Sequence, residues 1–429
     1  MRHVSEAPLL REAGFRRLFT ARLLSQLADG VFQASLAGAV FFNPDHATDP
    51  KQAALGFLVL YLPYSVVSPF VGVILDRWRR QRSLLACCAI RVPLVAVVAL
   101  LLATVGAGSL WLYLAALLVL GVSRFFIAAA GAALPHVVDD GRLVTANSIA
   151  GTSGTVAAFV AGILALLVRA ALPPSNGTDA AIALGSAVAY VLAAAALLRF
   201  RSDALGPDAV SAATPLRREA ERVLLEMRDG AAHLRTQPVA MRALAAMTAY
   251  RLCMGALTLA AVLLYRNSFA GVHGVFPGGQ TGLAEMVGAS AAGIFACAVV
   301  TPRVTERIGT RAWTAVLLVV AGVTVATLAP TYRPAAFLVA GLIVGGVGQG
   351  VKICVDTLLQ ETISDAYRGR VFAFYDALFN CAFAIAAVLA ALALPTSGRS
   401  LPVIGGVAAL FLFAGVAYGR SERSAVQPA

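Results

Sequence analysis

Four ionisable side chains stand inside long apolar stretches of this sequence: Asp29, Arg124, Arg251 and Lys352. A charge held in hydrocarbon costs about 3 kcal/mol on insertion scales, so such a group persists where it is paired or where it handles ions. An acid in that setting can take up and release a proton. A desolvated lysine can do the same near neutral pH, whereas an arginine keeps its charge and can only bind an anion or hold a carboxylate ionised. Lys352 is also set apart by rarity, the one other lysine being Lys51. A structural reading stands beside each functional one. Asp29 could be locked in a permanent ion pair, with Arg251 the expected partner. Lys352 could pair with a carboxylate or extend toward a membrane surface, and Arg124 and Arg251 could bind helices together. Arg22, Arg91, Glu285 and Asp376 are further charges in or near apolar stretches. Arg91 is read as a packing or lipid-headgroup contact. Gln26, Gln33, Gln349 and Asn380 are neutral companions suited to a polar cavity or to interhelical hydrogen bonds.

The elements that must position these groups follow from composition. The 429 residues are 59% hydrophobic and 13% charged, with a mean hydropathy of +0.80. A soluble domain carries about 25% charged residues, so this chain belongs in a bilayer. Twelve apolar spans of about the 20 residues needed to cross hydrocarbon are expected. They lie near 18–42, 54–75, 83–106, 110–133, 146–170, 178–199, 241–265, 281–301, 312–330, 335–357, 371–394 and 401–419. The first stretch is long and lacks a small-residue cleavage site before Asn43, so it is read as a membrane span and not as a signal peptide. Loops such as Asn43 to Gln52, Leu172 to Asp179 and Thr331 to Pro334 are short and carry few charges, while the alternate loops hold the arginines. That bias places both termini in the cytoplasm of a multi-pass plasma-membrane protein. The formal net charge of +12 therefore reports topology, with some attraction to anionic lipid, and does not indicate a nucleic-acid partner. All six cysteines fall in the spans and read as small buried hydrophobes.

One loop carries a motif. In Gly72-Val73-Ile74-Leu75-Asp76-Arg77-Trp78-Arg79-Arg80-Gln81-Arg82, a glycine four residues before an acid shares its helical face, and a burst of arginines follows. Thr305-Glu306-Arg307-Ile308-Gly309-Thr310-Arg311 echoes it after the eighth span, at an offset of 230 residues. Other correspondences fall at an offset of 225: Gly30 with Gly255, Gly121 with Gly346, and Leu134–Asp140 with Leu359–Asp365. Together they indicate two six-helix repeats. The expected organisation is an N-terminal bundle over 1–200, a cytoplasmic linker with an amphipathic helix over 201–240, and a C-terminal bundle over 241–429.

The first loop resembles the GxxxDRxGRR signature of the major facilitator superfamily, with Gly72, Asp76, Arg77 and Arg80 kept and the internal glycine replaced by Arg79. Ser364-Asp365-Ala366-Tyr367-Arg368-Gly369-Arg370-Val371 resembles the loop before the eleventh helix of its bacterial efflux-type members. The resemblance implies an all-α membrane protein with twelve transmembrane helices in two pseudo-symmetric bundles that rock about a central cavity. It further implies that helices one, four, seven and ten line that cavity, and each of these spans holds one of the four leading charges. The Gly-Pro signature of drug-proton antiporters is absent from span five, where Gly151-Thr152-Ser153-Gly154 through Ala161-Gly162 offers small residues alone.

No GxxxxGK[ST] phosphate loop occurs, and His3, His46, His136, His233 and His273 are scattered outside the spans. Neither an ATP-driven mechanism, nor an enzyme, nor a cofactor is expected. The reading is a monomeric secondary transporter whose partners are protons, membrane lipids and a small-molecule substrate. Proton-coupled efflux of a small organic molecule comes first, with uptake of an organic anion second because positive charge exceeds negative in the spans. A lipid scramblase or sensor on the same fold is the reading from another class. In the first reading Asp29, Arg124, Arg251 and Lys352 serve substrate or proton coupling, while Gly72, Asp76, Arg77, Arg80, Glu306 and Arg307 form the gating motif. Asp76→Asn is then expected to slow turnover with little loss of substrate affinity in steady-state flux measurements; a large affinity loss with normal turnover rejects the gate.

Overall fold

The structure, a computed structural model, describes residues 9–42, 50–51, 54–59, 78–106, 109–139, 142–173, 175–201, 203–206 and 216–420. Gly72, Asp76 and Arg77, together with most of the second expected span and its Pro63 and Pro69, lie outside the described residues. Among the described residues every regular element is helical. Nine of these helices are long and apolar enough to cross a membrane.

Two compact units divide the chain: Met1–His46 with Leu62–Val223, and Ala47–Tyr61 with Leu224–Ala429. The first contains α1 (Ala13–Phe42), α2 (Arg80–Thr104), α3 (Leu110–Ala133), α4 (Leu143–Ala171) and α5 (Asn176–Leu197). Here α1 packs on α4 and α5, and α2 packs on α3 and α5. An amphipathic helix, α6 (Leu216–Arg235), straddles the boundary between the units. The second contains α7 (Pro238–Leu263), α8 (Gly279–Leu328), α9 (Pro334–Thr362), α10 (Asp365–Ala393) and α11 (Leu401–Arg420). In it α8 packs on α9 and α11, while α7 packs on α10 and α11. Close to α10, the end of α6 is docked: His233 stacks on Tyr367 with ring centroids 4.1 Å apart, and Leu234 is buried.

The eighth and ninth expected spans are the two arms of α8, separated at Gly309, where the backbone leaves the helical conformation. There φ is 82°, a left-handed value that costs an L-residue sterically and a glycine almost nothing. Asp179 is not a loop residue, because Ser175 caps α5 by accepting from the Thr178 N–H and the helix begins at Asn176. Glu285 is exposed on the outside of the second unit.

Within each unit, close helix contact depends on small residues. A Cβ at Gly30 of α1 would strike the carbonyl oxygen of Ala158 on α4, and one at Gly255 of α7 would strike that of Phe383 on α10. The offset of 225 that relates Gly30 to Gly255 also relates Ala158 to Phe383, so the sparse sequence repeat is a repeat of helix contacts. Gly30→Ala and Gly255→Ala should each lower stability by about 1–3 kcal/mol, because backbone must move to admit the methyl group. Gly185→Ala, where nothing lies within 4 Å, should be neutral or mildly stabilising. Thermal unfolding of the purified protein in detergent separates the two outcomes.

Candidate functional site

Asp29 lies in the interior of the N-terminal unit. Its carboxylate accepts from Ser123 Oγ of α3 at 2.6 Å and from the Tyr190 hydroxyl of α5 at 2.7 Å. The guanidinium of Arg91, on α2, stands 3.4 Å away. Arg91 is fully buried, donates to Ser25 Oγ at 2.9 Å and to the Cys87 carbonyl at 3.1 Å, and lies over the rings of Phe126 and Tyr190. One ion pair thus ties four helices together. The expected Asp29–Arg251 pair is replaced by Asp29–Arg91, and the headgroup reading of Arg91 is excluded by its burial. Hydropathy could not select the partner, since Arg91 is 62 residues away and the facing directions of two helices are not written in either one.

A second buried pair was missed from sequence. Arg169 of α4 donates to both oxygens of Asp179 on α5, at 2.5 and 3.1 Å, and both side chains are almost wholly buried. Gly38 of α1 makes the space, because a Cβ there would press on the Arg169 side chain. Both residues fall at span ends, where a charge ordinarily reads as headgroup-level, and that hid the pair.

In the C-terminal unit the charges are held differently. Arg251 donates to the Phe379 carbonyl at 2.9 Å and is sandwiched over the rings of Phe379 and Phe383, at 3.8 and 4.6 Å. This is a cation–π arrangement that suits a planar guanidinium. Lys352 Nζ donates to Asp356 Oδ2 at 2.6 Å, one turn along α9, and lies 5.7 Å from the Tyr375 ring of α10. The two side chains of this pair are 42% and 27% exposed. Asp376, next to Tyr375, is exposed and within electrostatic reach of both Lys352 and Asp356. Asp356 did not figure among the sequence candidates, because it closes the tenth span. A lysine four residues before an acid on one helix is the signal that identifies the pair. Arg124 is half-buried on α3, beside Ser123 in sequence.

The described part of the gating motif is a staple within the first unit. Arg80 donates to the carbonyls of Ala132 at 3.0 Å and Leu205 at 3.5 Å, and its Nη1 is 3.3 Å from His136 Nδ1. Its backbone N–H donates to Gly206. At Arg79, where the signature has glycine, φ is −59°, so no left-handed residue is needed. Glu306 and Arg307 are exposed on the arm of α8 that leads into the break at Gly309. A separate pocket in the second unit is almost wholly apolar, lined by Met254, Leu257, Met286, Ser290, Phe337 and Val344.

A chain built of membrane-length helices in two repeated bundles, with ion pairs buried among the helices of the first, is a polytopic carrier scaffold. Residues 18–387 match the Major Facilitator Superfamily. The sequence is 38% identical over 388 residues to uncharacterized MFS-type transporters of Mycobacterium bovis and of Mycobacterium tuberculosis, covering 90% of this chain and 86% of each relative. Its fold is similar to that of the nucleoside transporter NupG, with a TM-score of 0.64 and 12% identity over 97% of this chain and 100% of that one. It also resembles a bacterial homologue of the iron transporter ferroportin in an inward-facing state, with a TM-score of 0.66 and 17% identity over 96% and 99%. A POT family transporter bound to 5-aminolevulinic acid gives a TM-score of 0.71 and 10% identity over 96% and 97%. The chain belongs to the major facilitator superfamily: it is a multi-pass membrane transporter, not an enzyme, with the twelve-helix fold of two six-helix bundles.

Breaking the Asp29–Arg91 pair from one side should cost about 3–5 kcal/mol, because a buried charge is left without its partner. Asp29→Ala is therefore expected to unfold well below the wild type, and the double variant Asp29→Leu/Arg91→Met to recover much of the loss. Thermal melts of the three proteins in one detergent provide the comparison.

Proposed function

We propose that this transporter is a secondary active carrier of the cell membrane, with both termini in the cytoplasm, that exports a small organic molecule by alternating access coupled to protons. In this reading it works as a monomer among membrane lipids. The observation that carries the proposal is the contrast between the buried Asp29–Arg91 pair, held among several helices, and the half-exposed Lys352–Asp356 pair. A closed pair stabilises a bundle, whereas an open pair can be reached by water, protons and substrate. We accordingly assign proton coupling to the Lys352 region, with Arg251 and Arg124 as fixed positive charges near substrate and Asp29 holding the N-terminal bundle together. Gly72, Asp76, Arg77 and Arg80 with Glu306 and Arg307 are assigned to the gate. Export as the direction rests on the resemblance of the Ser364–Val371 loop to that of efflux-type members. Lys352 faces Asp356, an acid left out of the sequence count, which lowers the cationic surplus that favoured uptake of an organic anion.

The test begins with a compound panel screened for accumulation differences between cells with and without the protein. A compound found there is then followed in proteoliposomes with an imposed pH gradient. Lys352→Ala should reduce gradient-driven flux by about tenfold or more, the factor that corresponds to about 1.4 kcal/mol. Flux that ignores the gradient and is unchanged in Lys352→Ala and Asp29→Asn would refute proton coupling. Movement of labelled phospholipid without any solute would instead support a scramblase.

A further inference from the structure

We propose that Asp356 and Asp376 form a proton-binding carboxylate pair around Lys352, whose ammonium passes from one carboxylate to the other as a proton arrives and leaves. The inference rests on the proton-coupled reading above and deepens it by naming the acids.

The geometry sets these groups apart from the other charges in the helices. In the N-terminal unit each buried acid is held from other helices: Asp29 accepts through Oδ1 from Ser123 and Tyr190 beside Arg91, and Asp179 accepts from Arg169 through both oxygens. Asp356 has one ion-pair contact, through Oδ2, while its Oδ1 is buried without a hydrogen-bond partner among the described residues. The buried hydroxyl of Tyr375 is likewise without one, and it lies within electrostatic reach of Asp356. An acceptor and a donor left idle side by side mark a place where a proton or a moving side chain completes the bonding. The Lys352–Asp356 contact joins two residues of the same helix, so opening it breaks no tie between helices.

Charge balance gives the exchange its direction. Asp376 is exposed, and its neighbour Asn380 donates to the Asp376 backbone carbonyl and not to its carboxylate. The groups facing the pair are Lys352 on α9, Tyr375 on α10 and Arg251 on α7, whose guanidinium is held by the Phe379 carbonyl and two rings. From α8, Cys297 and Thr301 face Gly350 on α9. With the Arg251 guanidinium engaged by the Phe379 carbonyl and two rings, Lys352 alone faces the two ionised carboxylates, one negative charge in excess. One proton bound to Asp356 neutralises that excess and turns its ion pair into a weaker contact between an ammonium and a neutral acid. The ammonium is then drawn to ionised Asp376, and loss of the proton restores the first pairing. One proton is bound and released, and no covalent bond other than its O–H is made or broken.

The repeat shows that this cluster is not part of the shared scaffold. At the offset of 225, Lys352, Asp356 and Asp376 correspond to Ile127, Gly131 and Gly151, none of which can titrate.

Infrared difference spectroscopy between acid and alkaline pH on the purified full-length protein reads protonated carboxyl groups directly and needs no substrate. The wild type should show a carboxyl band that titrates. That band should be lost or shifted in Asp356→Asn and in Asp376→Asn, persist in Asp29→Asn, and change midpoint in Lys352→Gln. Asp356→Glu and Asp376→Glu guard against misfolding: with wild-type size-exclusion profiles they should keep a band at a displaced frequency. A band unchanged in all the Asp356 and Asp376 variants, or abolished by Asp29→Asn, would overturn the assignment. Should the band behave as expected while flux ignores the pH gradient, the proton site stands and the coupled-transport reading fails. If flux follows the gradient and the band is indifferent to both acids, the coupling reading stands and this pair is wrong.

Discussion

The burial of Arg91 beside Asp29 is the constraint around which the N-terminal unit is organised. A guanidinium with no exposed surface must find partners for its donors within the protein, and the unit supplies them from three helices, with the Tyr190 ring of a fourth against its face. That requirement fixes the rotation of α1, α2, α3 and α5 about their own axes, since any other rotation would strand the charge. It also accounts for the glycines of α1. Gly30 lets α1 lie against α4 one residue beyond Asp29, and Gly38 leaves room for the Arg169–Asp179 pair two turns further on. A bundle fastened in this way at two depths is suited to move as one body.

The C-terminal unit repeats the contacts but not the charges. At the same offset Asp29 becomes Met254, Ser123 becomes Gly348 and Tyr190 becomes Gly415, so the whole network is replaced by packing. Tyr250 fills the space: its ring lies where a Cβ at Gly348 would go, and its hydroxyl donates to the Val344 carbonyl at 3.2 Å. Gln26, set against Gly154, becomes Arg251 set against Phe379, in keeping with the same repeat. The helix-to-helix frame is therefore common property, and each half uses it to hold different electrostatics. Buried pairs that bridge helices lie on one side of that comparison, and a half-exposed pair within one helix on the other.

How far the sequence was legible follows from what kind of interaction each feature depends on. Membrane spans rest on a one-dimensional average, and most were placed to within a few residues. Gly30 and Gly255 were visible because a repeat at fixed offset preserves residue type at close contacts. The partner of Asp29 was not visible, because it depends on how four helices are turned toward one another. Asp179 and Asp356 were overlooked for a shared physical reason: near the end of a span, an acid can serve the headgroup region or fold inward, and composition is the same in either case. The break between the eighth and ninth spans was legible, since Gly309 falls in the Thr305–Arg311 loop motif that separates them.

The two signature loops carry the asymmetry into the backbone. The internal glycine of the signature supplies a residue that can turn left-handed, and Gly309 does so at 82°. In the first loop Arg79 takes that place with φ of −59°, and the left-handed position moves to Gly206, at 70°, just beyond the sixth span. Gly206 then presents its carbonyl to the Arg80 backbone N–H, while a Cβ on it would strike the His136 ring. The turn that the signature makes locally is thus replaced by one supplied from a distant segment, and Arg80 fastens it to the ends of α3 and α5. The described end of the first loop is thus tied into its own bundle at Arg80, whereas Glu306 and Arg307 are exposed just before the break at Gly309. Any motion that depends on these loops starts from one end pinned within its unit and another end free to bend at a single glycine.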